Sequence, residues 1–516
     1  MKKFLTLLLA AGMLLGAVTS VQAVDFRAKG QWLMGFGLGE TSLLRKQNFN
    51  NGNRKAGDQD MFQARQRLRL QLDAVASEAL SGTVSFEIGD QQWGRADEGG
   101  ALGADGNNVI KIRRAYVDWT APQSDLMFRM GLQGVSMPNK AGGSAVLDTD
   151  VAAVTASWQF AENAGLSVFW ARPFNDNYQG RFDGSSYLGG ANYLDNMDLF
   201  AILLPLKFDG FEITPWLMYG LRGRNADDFP AYRDGKLADG HPNFTLAPFG
   251  GWAENNEPMP RRSGTNGGMF WAGLPFAVTV RDSWNIEVDL NYGYVESMGR
   301  YATYRWTDAT TVRTKRSQTG RQGWLAKALV EYRLDRVTPG IFGWYASGDD
   351  GDPRNGSERM PSIDPYGNFT SFMGDGNYGW GPGAGYLDKG VSYAGTWGVG
   401  LRLKDISFVE DLRHTLAVAY WGGTNSASGI KYLPAASSWN YGTDHSDGPY
   451  LTTRDSLLEF NLTSAWRVCE NLEMNLELGY IANFMDNDAW NKAGAGDTSF
   501  EKQDAWKAQL IFAYSF

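Results

Sequence analysis

The chain has 516 residues, 63 of them glycine, with 13% aromatic residues, a formal net charge of −9 and a mean hydropathy of −0.35. The acidic balance argues against nucleic acid as a partner, and the single cysteine, Cys469, excludes an intrachain disulfide framework. A mildly polar, glycine- and aromatic-rich composition is foreign to a bundle of membrane helices but suits a barrel, in which only one side of each strand is apolar.

In chain order, Lys2 and Lys3, the apolar run Phe4 to Val18 and the small-residue site Val21-Gln22-Ala23 read as an export signal cleaved after Ala23. The expected organisation is therefore a signal peptide over residues 1–23 and one mature domain over 24–516. The apolar part of the signal is too short for a comfortable spanning helix, which needs about 20 residues. No later run is long enough either; Ala201 to Leu206 is interrupted by Pro205. An exported chain of this kind can sit in a membrane only as a closed barrel, since lipid leaves no partner for unpaired backbone groups.

Period-two alternation then recurs along the chain. Phe26, Ala28, Gly30, Trp32, Met34 and Phe36 alternate with Arg27, Lys29 and Gln31, and Phe62, Ala64, Leu68, Leu70 and Leu72 with Gln63, Arg65, Arg67, Arg69, Gln71 and Asp73. Trp284, Ile286, Val288, Leu290 and Tyr292 alternate with Asn285, Glu287, Asp289 and Asn291, and Leu472, Met474, Leu476, Leu478 and Tyr480 with Glu473, Asn475 and Glu477. The last segment is the clearest: Trp506, Ala508, Leu510, Phe512, Tyr514 and Phe516 fall on one face.

Short turns are expected near Ser77-Glu78-Ala79, Ala121 to Ser124, Glu162-Asn163, Asp209-Gly210, Arg281-Asp282, Asp335-Arg336, Glu410-Asp411 and Cys469-Glu470. Eight hairpins plus an opening and a closing strand make an all-β, transmembrane antiparallel barrel of about 18 strands, with short turns at one end and long polar loops at the other. A 16-strand barrel with one refolded hairpin is the alternative. It is kept open by Pro215 and Pro339 inside expected strands and by the slipped parity at Arg113-Arg114. Such a barrel is wide enough for an aqueous channel passing small hydrophilic solutes and ions.

Lumen parity collects Arg27, Lys29, Arg65, Arg67, Arg69, Arg114 and Arg129 as a pore-lining ladder. The opposite arc is acidic: Glu287, Asp289, Glu459, Glu473 and Glu477. The sign of ion selectivity follows the narrowest ring and stays open at this point.

The chain resembles the homotrimeric outer-membrane porins of sulfate-reducing bacteria. The resemblance rests on the export signal followed by Val24-Asp25-Phe26-Arg27-Ala28-Lys29-Gly30, on Arg113-Arg114-Ala115-Tyr116-Val117-Asp118-Trp119, and on the Tyr514-Ser515-Phe516 end. It implies a homotrimer in the outer membrane of a Gram-negative bacterium, in contact with lipid. It also implies that the third outer loop, Gly134 to Ala152, folds inward and brings Asp148 and Asp150 to the constriction.

Two other classes are weighed. A substrate-selective, anion-preferring channel would use the same arginines, which recognise carboxylates and phosphates with paired donors. A barrel enzyme would need His241, His414 or His445; the one suggestive cluster, Asp444-His445-Ser446-Asp447, has no triad geometry on an extended loop, and no catalytic residue is expected. No cofactor is expected beyond a weak structural Ca²⁺ candidate at Asp349, Asp350 and Asp352, which lacks the rest of an EF-hand loop. Ala152, Ala153 and Ala156 mark a candidate subunit contact.

Overall fold

Alternation over ten or more residues favours the extended strand, because only there do successive side chains fall on opposite faces. The computed structural model describes residues 24–40, 43–46, 61–95, 100–102, 110–175, 181–182, 187–188, 196–223, 232–233, 236–237, 261–262, 266–281, 283–306, 312–318, 320–367, 369–370, 378, 380, 393–432, 450–490 and 500–516. The expected signal peptide, residues 1–23, lies outside them. The alternating runs pair with their sequence neighbours into one antiparallel sheet that closes on itself.

The strands are β1 (Asp25–Glu40), β2 (Met61–Ser77), β3 (Leu80–Gln92), β4 (Ile110–Thr120), β5 (Leu126–Ser136) and β6 (Asp148–Ala161). Next come β7 (Ala164–Asn175), β8 (Asn196–Leu203 with Leu206–Phe208), β9 (Phe211–Ile213 with Trp216–Gly223), β10 (Asn266–Val280), β11 (Trp284–Val295) and β12 (Arg321–Tyr332). The circuit ends with β13 (Thr338–Ala346), β14 (Thr396–Val409), β15 (Leu412–Gly423), β16 (Ser456–Cys469), β17 (Leu472–Asn483) and β18 (Ala505–Ser515). Strand β1 pairs with β2 on one edge and β18 on the other, which closes an eighteen-strand barrel.

The prolines explain the untidy strands. β8 and β9 break side by side at Leu204-Pro205 and Thr214-Pro215, where the ladder loses its donors together. Pro339 is tolerated because it is the second residue of β13. All eight expected turns join hairpins, and Gln123, Gly210, Arg281 and Asp411 supply the left-handed residues of four of them.

Outward positions carry the exposed large apolar side chains, among them Phe26, Trp32, Leu217, Leu290, Ile341, Leu401 and Leu478. Aromatic residues gather toward both ends of this face. Near the short turns Trp284 packs on Tyr332 with ring centroids 4.9 Å apart and Trp119 stacks on Phe128 at 5.4 Å. Toward the long connections Trp324 stacks on Tyr345 at 5.2 Å, with Tyr292, Tyr420 and Tyr480 on the same level of the wall. From Trp324 to Tyr332 the strand rises about 26 Å at roughly 3.3 Å per residue. Among the described residues no helix is long and apolar enough to cross a membrane.

Candidate functional site

The inner face begins with β1 and β2. Their register sets Arg27 opposite Asp73, Lys29 opposite Gln71, Gln31 opposite Arg69, Leu33 opposite Arg67 and Gly35 opposite Arg65. Directly opposed residues share a face, and the other face carries Phe26, Trp32 and Leu72, so these five pairs point into the barrel. Carboxylates from neighbouring strands, and for Arg27 from its own strand, partner the cations. Arg65 lies 3.2 Å from Asp90, and Arg69 Nε donates to Glu87 at 2.9 Å. Arg129 forms a two-bonded fork with Asp118 at 2.7 and 2.9 Å, its guanidinium 4.2 Å from the centre of the Tyr116 ring. Arg27 pairs with Asp25 at 2.7 Å. Arg67 is the buried member, its guanidinium 5.3 Å from the centre of the Trp380 ring.

A bulge resolves the adjacent arginines. On the β3 edge of β4 the register runs Ser85–Arg114 and then Phe86–Ile112, so Arg113 is the extra residue. Because the ladder skips it, both guanidiniums reach one carboxylate, Asp150, at 2.5 Å from Arg113 and 2.6 Å from Arg114. Gly134, opposite Asp150, leaves room for Arg114 to cross: a Cβ there would lie 2.7 Å from Arg114 Nη2.

Across the barrel the inner face is no longer a wet wall. Residues 137–147, between β5 and β6, fold inward along it. Trp216 Nε1 donates to the Pro138 carbonyl at 3.2 Å, and the Lys140 ammonium reaches Glu212, near the Asp209-Gly210 turn, at 2.6 Å. A second inward segment, 360–367 with Phe369 and Tyr393, lies against the first: Ile363 and Asp364 donate backbone N–H groups to the Val146 carbonyl, and Ser144 bridges to Tyr366. Wall and segments share one apolar cluster in which Phe342 stacks on Phe369 at 4.8 Å and Met137, Leu147, Trp271, Leu325 and Trp421 are fully or almost fully buried. Trp271 Nε1 donates to the Pro361 carbonyl at 3.0 Å, so the indole is satisfied by the loop that covers it.

Two glycines allow this fold-back. Gly142 (φ +63°) and Gly143 (φ +82°) both occupy the left-handed region, and a Cβ on Gly143 would lie 2.3 Å from the Tyr366 carbonyl oxygen. The loop thus meets Tyr366 and Gly367 backbone to backbone.

The acidic arc is placed as its parity predicts, but most of it is covered. Asp289, Glu459 and Glu477 are at most 1% exposed. Asp289 accepts the Lys140 and Ala141 N–H groups at 2.8 and 3.0 Å and lies 3.2 Å from Lys327. Glu459 accepts from Trp421 Nε1, and Glu477 from Asn475 and Gln509. Glu473 accepts from the Tyr378 hydroxyl at 2.7 Å; burial, then this carboxylate, pushes the phenol pKa up. Glu287 is half-buried beside Asn285. In contrast, side-chain exposure is 34% at Arg69 and 36% at Arg129, against 19% at Arg65. Solvent thus reaches the inner face at Arg69 and Arg129, whereas Leu33, Arg67, Ile511 and Ala513 nearby are covered together with Trp380.

Asp148 and Asp150 stand elsewhere than expected. The third outer loop does fold inward, but its inward part is 137–147; the two aspartates open β6, paired with Ser136 and Gly134, because the ladder has resumed there. The inward segment carries a single charge, Lys140, which sequence reasoning overlooked. Its signal was present: it is the only charged residue between Gly134 and Leu147, beside Pro138 and followed by Gly142-Gly143. Lys327 and the Glu331–Arg402 pair at 2.6 Å were also missed.

The remaining candidates scatter. Asp349 accepts from Ser357 Oγ and the Glu358 N–H, Asp350 from the Asp352 N–H and Asn355, and Asp352 from Arg354, so the three carboxylates serve separate turns. Among the described residues no three acidic, imidazole or thiol side chains form a metal-holding group. His414 Nδ1 shares a 2.8 Å hydrogen bond with Ser464, on outward positions of β15 and β16. His241 and Asp444-His445-Ser446-Asp447 lie outside the described residues. Cys469 is exposed at the end of β16. Ala152 and Ala156 face outward on β6, whereas Ala153 is buried on the inner face.

No family model matches the chain, and no curated protein matches it. Among solved structures the chain is similar to OpdQ of Pseudomonas aeruginosa, with a TM-score of 0.48 and 10% identity over 95% of this chain and 98% of that one. It is also similar to OccK2 (OpdF) of the same organism, solved in complex with glucuronate (0.47, 11%, 95% and 98%). OccAB3 of Acinetobacter baumannii gives 0.45 and 11% over 95% and 99%. The barrel is established by its own strand register rather than by these likenesses.

Proposed function

We propose that this chain is an outer-membrane porin, a water-filled channel for passive diffusion of small hydrophilic solutes and ions, and that it prefers anions. The observation that carries the reading is the division of the inner face. One arc is packed against the inward segments; the other keeps water-exposed cations at Arg27, Lys29, Arg69 and Arg129, while Arg67 and Leu33 lie under Trp380. The apolar outer face with its two aromatic belts supports the membrane setting. A solute is thus steered along a cationic wall at whose narrowest level charge decides passage.

The test is single-channel recording in a planar bilayer under a salt gradient. Discrete conductance steps with a reversal potential on the anion side support the reading; a folded barrel that never conducts overturns it. A pore that conducts but prefers cations overturns the anion preference alone. Assembly into trimers, implied by the family resemblance, is a separate proposal. It is tested by the mass of the detergent-solubilised oligomer and by whether steps arrive in threes.

A further inference from the structure

The Asp289–Lys327 pair is an expensive thing to build. Both side chains are removed from water, 2% and 0% exposed, and a buried ion pair is sustained only when further hydrogen bonds replace the lost hydration. Those further bonds come from the inward loop. The two carboxylate oxygens of Asp289 accept the N–H groups of Lys140 and Ala141, and the Lys327 ammonium donates to the Gly143 carbonyl at 2.5 Å. Tyr393, whose ring centre lies 5.0 Å from the ammonium, donates its hydroxyl to the adjoining Gly142 carbonyl at 2.7 Å. The negative partner therefore meets loop donors and the positive partner a loop acceptor, within four consecutive residues.

We propose that Asp289 and Lys327 are positioning residues that set the bore of the channel by clamping residues 140–143 to the wall. This rests on the reading of the barrel as a conducting pore. The pair touches no part of the arginine arc, so it governs the size of what passes and leaves the charge preference to β1 to β5. With either partner neutralised, the loop loses the match between its backbone dipoles and the wall, and the segment moves into or out of the lumen more freely.

The experiment uses the full-length protein purified as its native oligomer. Asp289→Asn, Lys327→Met and the neutral double variant Asp289→Asn/Lys327→Gln are compared with the native channel by single-channel conductance, reversal potential and swelling of liposomes in neutral sugars of increasing size. The double variant leaves no uncompensated buried charge, so it tests the clamp even where a single variant fails to fold; heat-modifiable migration on gels reports folding. Expected are a change in conductance on the order of twofold, a shifted size limit for neutral sugars, and an unchanged reversal potential. Folded variants with native conductance and native size limit overturn the clamp while leaving the pore reading intact. A native protein that does not conduct overturns both.

Discussion

Glu87 sits between two arginines, 2.9 Å from Arg69 and 3.8 Å from Arg113, so its substitution and that of Arg69 should pull the channel in opposite directions. Arg69→Gln removes one positive charge from the wet arc and leaves Glu87 less compensated. For an ion passing about 5 Å away in water, one unit charge contributes roughly 0.8 kcal/mol before screening. A Debye length of about 8 Å reduces this to roughly 0.45 kcal/mol, a factor of about two in local concentration. Anions are depleted and cations enriched by that factor, so the permeability ratio should move toward cations about fourfold. Glu87→Gln frees two guanidiniums and should move it toward anions by a similar factor. The assay is the reversal potential under a fixed salt gradient, repeated in concentrated salt, where both effects should shrink. Two folded, conducting variants that leave the ratio unmoved, or move it the same way, would refute the assignment of this arc as the charge-selecting wall.

Three further outcomes are expected. Gly143→Ala forces a Cβ against the Tyr366 carbonyl and an L-residue into left-handed backbone, a strain of about 1–3 kcal/mol; hydrogen exchange across 137–147 should rise while the barrel strands stay protected. Glu358, in the connection after β13, has its pKa raised to about 7, by burial first and then by Asp349 and Asp350. A raised carboxyl binds its proton more tightly in the folded loop than in the open one, so its ionisation destabilises the loop as pH climbs from about 4.5 through 7. Protection of amides 349–359, corrected for the intrinsic rise of exchange with pH, should therefore fall between about pH 4.5 and 7, and Glu358→Gln should abolish that fall. Leu290→Arg, on the outward face midway between the Trp284 and Tyr294 levels, should cost about 2–4 kcal/mol in urea-driven unfolding from vesicles, whereas inward Asn291→Ser should cost far less.

The wall was legible in the sequence because its rules are local. A turn such as Asp209-Gly210 announces itself by the left-handed residue it needs, and a strand such as Trp506 to Phe516 by alternation. What covers the wall was not legible. The alternation places Glu459 and Glu477 on the inner face but cannot say that Trp421 and Gln509 bond to them, since that depends on the register with the neighbouring strands β15 and β18. β12 shows the same limit: Leu325 and Leu329 face inward beside Lys327, so its pattern reads as apolar on both sides. The inward apolar residues are there to receive Met137, Leu147 and Phe369, not to meet water. Asp148 and Asp150 were misplaced for a related reason. Glycine-rich composition marks where a loop begins but not where pairing resumes, and here the ladder restarts at Asp148.

The bulge at Arg113 gives β4 an unusual tolerance. In a regular strand, losing one residue turns every side chain beyond the deletion to the opposite face. In β4 the surplus residue is already outside the count: Ile112 faces outward on one side of it, and Ala115, Val117 and Trp119 keep the outward phase on the other. Excision of Arg113 would bring Arg114 next to Ile112 and restore simple alternation without inverting either half. The strand could thus shorten by one residue and stay in phase, giving up one of the two guanidiniums on Asp150 and none of its outer face.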